Sequence, residues 1–68
     1  MSILNLYQFE TKRAKIVDCD GIEYIGRVLL VYFLDDKDVH EILVDIEVDD
    51  GPIYGLLEHE IKSIELID

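Results

Sequence analysis

The residues of this chain best able to do chemistry are one thiol, two imidazoles and a few clustered carboxylates. Cys19 is the only cysteine and sits between Asp18 and Asp20. The thiolate is the reactive form, and flanking carboxylates disfavour it, so a poor nucleophile is expected. His40 and His59 each lie among acids, and with Cys19 they show neither C-x-x-C nor H-x-x-x-H spacing, so no metal site is expected. Asp35, Asp36 and Asp38 offer oxygen ligands of the kind Ca²⁺ takes. They lack the D-x-[DN]-x-[DN]-G spacing and the distant glutamate of a loop site, and a solvated turn is the expectation. Tyr32 and Phe33 could stack on bases, but they lie inside the apolar run 28–34, which predicts packing in a core or an interface. No Ser or Cys is accompanied by a His base and an orienting acid, and no glycine-rich phosphate loop exists. The expectation is a chain without catalysis, metal or cofactor.

The basic residues form one small group. Residues 1–27 hold Lys12, Arg13, Lys15 and Arg27 against four acids, whereas residues 28–68 hold twelve acids against Lys37 and Lys62. The net charge of −10 therefore lies in the later part. Nucleic-acid binding depends on neutralising phosphates with Lys and Arg, and a strongly negative protein repels RNA unless its few bases share a face. Lys12, Arg13, Lys15 and Arg27 are the candidate nucleic-acid contacts under that reading, which the charge disfavours. The acids more simply keep a small apolar chain soluble.

Length limits what can position any such residue. A chain of 68 residues forms one domain with a thin core, and small domains compensate with disulfides, metals or oligomerisation. A single cysteine excludes an intrachain disulfide and suits a reducing, cytoplasmic setting. Oligomerisation remains, and a hydrophobic content of 50% in so short a chain predicts apolar surface hidden in an interface. The opening residues lack the basic start, apolar middle and cleavage site of a signal peptide. The run 28–34 is too short to span a membrane.

The elements that would carry these residues read as strands. A short run over 13–18 ends at Asp20-Gly21, a strong hairpin signal because both turn positions accept positive φ. The run 22–34 alternates, with Tyr24, Gly26, Val28, Leu30 and Tyr32 on one face and Ile25, Leu29, Val31 and Phe33 on the other. From Val28 onward both faces are apolar, which predicts burial on both sides. Gly26 inside the run predicts a bend or a close backbone approach. After the polar loop 35–38, the stretch 40–48 alternates cleanly, with Ile42, Val44, Ile46 and Val48 on one side. A turn at 49–52, a strand at 53–57 with an internal Gly55, a turn or single 3₁₀ loop at 58–60 and a last strand at 61–67 complete the chain. Five strands with short connections predict an all-β, strongly bent small barrel. Ile3, Leu6, Tyr7 and Glu10 have helical spacing and Ser2 could cap them, so residues 1–10 are expected as a one- to two-turn helix or an extension.

On these residues the stretch 12–67 resembles the Sm-like (LSm) family of SH3-like barrels. The pattern K-R-x-x-I-x-x-x-D-G-x-x-Y-x-G-x-V is met at Lys12, Arg13, Ile16, Asp20, Gly21, Tyr24, Gly26 and Val28. The closing I-x-S-I-E is met at Ile61, Ser63, Ile64 and Glu65. The family's RNA-binding elements are not met. The region 31–37 has no asparagine and an acidic tip, and Leu57-Glu58-His59 stands where the family carries Arg-Gly. What the resemblance implies is a homo-oligomeric ring, made by pairing the fourth strand of one subunit with the fifth of the next. The candidate interface residues are then Ile53, Tyr54, Leu56, Ile64, Leu66 and Ile67. The function expected is a non-catalytic interaction or scaffold module that binds another protein. The alternative is an atypical RNA binder using the four bases above.

Overall fold

The computed structural model describes residues 5–67. Ser2 and Ile3, expected at the start of an N-terminal helix, lie outside them. Five strands follow in chain order: β1 (Arg13–Asp18), β2 (Glu23–Asp35), β3 (His40–Val48), β4 (Ile53–Leu57) and β5 (Ile61–Leu66). They form one sheet in the order β4-β3-β2-β1-β5, with every pairing antiparallel. The protein is all-β, as its period-2 patterning predicts. The sheet is not closed into a barrel, because β4 and β5 stand at its two edges and do not pair.

Alternation determines which side chains form the core. On β1, Ala14 and Ile16 point inward, and Val44 and Ile46 do so on β3. Leu6, Val28, Val31 and Leu56 complete the buried cluster, with Phe9, Tyr24, Ile42, Ile61 and Ile64 packed around it. The inward positions of β2 are Val28 and Val31, three apart rather than two. The register with β3 shifts between Val28 and Leu30, which marks a bulge at Leu29. A bulge inserts one unpaired residue and exchanges the faces of everything beyond it. The uninterrupted alternation expected over 22–34 is therefore wrong beyond Val28. Double-sided burial is wrong as well: Leu29, Leu30 and Phe33 are exposed.

β2 is shared by two partners. Residues 23–27 pair with β1 and residues 26–35 with β3. At the overlap Gly26 stands opposite both Ala14 and Val48. A Cβ there would overlap the Glu47 carbonyl oxygen and lie 2.7 Å from the Val48 Cα. The backbones approach so closely that only glycine fits, which is the physical meaning of this mid-strand glycine.

The expected N-terminal helix is a single 3₁₀ turn, Leu6–Phe9, among the described residues. Leu6 is inserted into the core, and Glu10 accepts a hydrogen bond from the Val31 amide at 2.9 Å, just past the bulge. Four residues anchored at both ends leave no room for a further α-helical turn before the chain enters β1. The crossing residue, Thr11, takes a left-handed φ of 70° and donates its amide to the Val28 carbonyl.

Candidate functional site

β4 reads Ile-Tyr-Gly-Leu-Leu and carries no charge, while β5 carries one of each sign, Lys62 and Glu65. Edge strands present unpaired backbone donors and acceptors, and proteins usually guard them with charges, prolines or bulges. Here both edges also expose apolar side chains: Ile53 is 57% exposed, Tyr54 43%, Leu66 52% and Ile67 36%, beside exposed Lys62, Ser63 and Glu65 on β5. Tyr54 packs edge-on against Tyr24, with ring centroids 5.2 Å apart. Ile64 is half-buried against the core. Leu56, grouped by the sequence with these interface candidates, is 6% exposed and belongs to the core, because Tyr54 and Leu56 take the inward positions of β4.

A three-residue 3₁₀ turn, Glu58–Glu60, joins the two edges. It is tied to the rest of the molecule by side chains. Glu60 accepts the Leu57 amide at 2.8 Å. Glu41 of β3 accepts the His59 amide at 3.0 Å and faces the His59 ring at 2.8 Å. The His59 amide, aided by the ring, holds the Glu41 carboxyl below the usual carboxylate range. The corner that sends β4 and β5 to opposite edges is thus fixed by two glutamates.

The same corner brings Cys19 beside His59, with Glu41 behind the imidazole, an arrangement that sequence spacing does not reveal. The thiol gives its hydrogen bond to the His59 carbonyl oxygen at 3.4 Å rather than to the ring. Asp18, Asp20 and Glu60 line the same cleft of about 440 Å³. Among the described residues no group of three His, Cys, Asp or Glu side chains could hold a metal ion. Asp35 instead contacts His40 at 2.6 Å across the end of the β2–β3 hairpin.

Asp18 organises the β1–β2 turn. Its Oδ1 accepts the amides of Asp20 and Ile22, both at 2.9 Å, and its Oδ2 accepts the Tyr24 hydroxyl at 2.9 Å. The Ile22 amide does most to hold this carboxyl below the ordinary range, and the tyrosine hydroxyl and Asp20 amide add to it against the effect of burial. The same bond to Asp18 raises the Tyr24 hydroxyl above its usual pKa. A carboxyl whose pKa is lower folded than unfolded contributes stability that is complete above the ordinary carboxylate range and disappears as pH falls through the folded value. Urea midpoints measured at about pH 7 and about pH 3 should therefore show Asp18→Asn destabilised at the higher pH and closer to the native chain at the lower. An unchanged gap would remove Asp18 from the acid sensitivity.

The structure gathers three of the four bases. Arg13 and Arg27 are register partners across β1 and β2, and Lys15 lies two residues along on the same outward face. Each has a partner nearby. Arg13 holds Asp49 through two bonds, at 2.6 and 2.9 Å, and its guanidinium lowers the Asp49 carboxyl. Lys15 stands 3.7 Å from Glu23. Arg27 donates to the Thr11 carbonyl at 2.7 Å and faces Glu47 across the β2–β3 register. Lys12 is exposed beside this group.

The fold defines a small all-β domain with an open five-stranded antiparallel sheet. Comparison with protein-family models, curated proteins and solved structures gives no match. Among the described residues no helix is long and apolar enough to cross a membrane.

Proposed function

We propose that this chain is a non-catalytic cytoplasmic interaction module of the Sm-like kind. It works as a closed homo-oligomer in which β4 of one copy adds to β5 of the next, and the assembled surface binds another protein. The observation that carries this reading is the pair of edge strands. One chain presents two strands that are each paired on one side only, both with exposed apolar residues and with β4 free of charge, at opposite ends of a single sheet. Two different edges on one molecule make a head-to-tail contact, which closes into a ring when the rotation between copies allows. The uncharged β4 and balanced β5 let copies approach at the place where the rest of a −10 chain would repel. The absence of the family's RNA elements supports a protein partner, as does the engagement of Arg13, Lys15 and Arg27 with their own neighbours. The lone thiol supports the cytoplasmic setting.

A native mass spectrum of untagged protein, purified without nuclease, tests the reading. A mass equal to several whole chains is the expected result. Extra weight that RNase removes would transfer the function to RNA binding through Lys12, Arg13, Lys15 and Arg27. A monomer at every concentration would overturn the assembly.

A further inference from the structure

β2 has one side that the sheet uses only in part. Beyond the bulge at Leu29 its register with β3 is regular, from Leu30 opposite Asp45 to Asp35 opposite His40. The turn bond from the Asp36 amide to the Val39 carbonyl continues that register. An antiparallel strand sends the backbone groups of alternate residues to opposite sides. Leu30, Tyr32 and Leu34 therefore turn their amides and carbonyls to β3, as Asp36 does, and Val31, Phe33 and Asp35 turn theirs away from it. On that other side β1 pairs with β2 only as far as Arg27, and Lys12 and Thr11 carry the contact on to Val28. Among the described residues no strand lies beside this side of β2 past Val28.

A side chain stops this third edge at its near end. The N-terminal segment turns aside at Thr11, where φ is left-handed, and Glu10 returns a carboxylate oxygen to the Val31 amide at 2.9 Å. An ionised carboxylate accepts but cannot donate, so it satisfies the amide and sets a negative charge where another strand's carbonyl would come. The row it guards, from Leu29 to Leu34, is uncharged, and Leu29, Leu30 and Phe33 are exposed. An edge of this kind is where a further strand adds. The same edge of a second copy fits it. Placed antiparallel about a two-fold axis at Phe33, two copies set Phe33 opposite Phe33 and Val31 opposite Asp35. The backbone groups that these three residues turn outward then all gain partners. The Val31 amide would go to the Asp35 carbonyl of the second copy. Glu10 already fills that place, and its charge would meet the incoming Asp35.

We propose that Val31 to Asp35 form a third pairing edge of this sheet, fitted to the same edge of a second copy, and that Glu10 keeps it closed. The inference goes beyond the assembly reading and does not depend on it, because Glu10 holds Val31 within a single chain. The 3₁₀ segment acts as a strap: with Leu6 and Glu10 in place the edge is shut, and their release opens it.

Sedimentation velocity compares the native chain with Glu10→Ala and with a Glu10→Ala, Phe33→Pro double variant. Glu10→Ala should raise self-association about tenfold or more, because each pairing then lacks two opposed carboxylates. Proline at 33 removes the central outward donor without breaking a bond to β3, so the double variant should return to the native level. A folded Glu10→Ala chain that associates no more than the native one, or a gain that survives Phe33→Pro, overturns the proposal. Amide hydrogen exchange of the native chain tests the open edge without any substitution. Phe33 should exchange fast and Tyr32 and Leu34 slowly, and equal protection at all three would overturn the proposal as well.

Discussion

Gly26→Ala should cost the chain most of its stability, although it adds one methyl group. A domain of this size has a total stability on the order of 5 kcal/mol. The added Cβ has no space to enter. It meets the Glu47 carbonyl and the Val48 Cα, both backbone atoms of β3, so no side-chain rotation relieves the overlap. β2 and β3 must separate where β2 also passes from β1 to β3 as its partner, at a cost of about 3 kcal/mol or more. Gly21 makes the control. It lies in the β1–β2 turn at a φ of 85° with open space around it, so Gly21→Ala adds only backbone strain of about 1 kcal/mol. Urea unfolding followed by far-UV circular dichroism should rank native above Gly21→Ala above Gly26→Ala, and equal losses at the two glycines would contradict the close approach.

Ile46→Ala is the second large effect. Ile46 is fully buried at the centre of β3, beside Val28 across the β2–β3 register. Truncating it loses transfer free energy and leaves a cavity, together about 3 kcal/mol. With roughly 4–8 °C of melting temperature per kcal/mol in a domain of this length, the shift is about 15 °C. Ile53→Ala removes an equal volume from an exposed edge residue and should change the stability of a lone chain by less than about 0.5 kcal/mol. If the edges meet between copies, the same change should weaken self-association. Thermal melts across a concentration series separate the two, since loss of assembly makes the melting temperature of Ile53→Ala depend less on protein concentration.

These contrasts also show which parts of the structure were legible. The strands could be read because a half-buried sheet writes its period into the sequence, and 40–48 is the clearest case: Val44 and Ile46 are buried where the alternation puts them. A turn at Asp20-Gly21 and the close approach at Gly26 were readable from backbone chemistry, although of the two turn residues only Gly21 takes a positive φ and the loop runs over four residues, 19–22. The bulge at Leu29 was not. Where every residue from Val28 to Leu34 is apolar, the pattern has no phase, and an extra residue leaves no mark. Leu56 was misplaced for the same reason, since five uncharged residues do not say which of them faces inward. The partner of Arg13 lies 36 residues away, and the meeting of Cys19 with His59 depends on the β4–β5 corner. Both are consequences of topology rather than of local spacing. The N-terminal stretch has helical periodicity, but Leu6 and Glu10 are tied to the core and to β2 at a separation that one 3₁₀ turn spans.

The three-residue corner after β4 also bears on how the chain reaches this state. β5 follows β4 immediately but pairs with β1, joining Ile16 to Ile64 across most of the sequence. Such a contact bears nearly the whole entropy of loop closure before any of its own hydrogen bonds form. The hairpins β1–β2, β2–β3 and β3–β4 can each form from local chain, whereas β1 keeps one open side until the last strand arrives. On a ribosome, β1 would emerge before β2, β3, β4 and finally β5, the partner of its second side. During that interval its exposed side is the surface that a chaperone, or the wrong strand of a neighbouring nascent chain, would meet first.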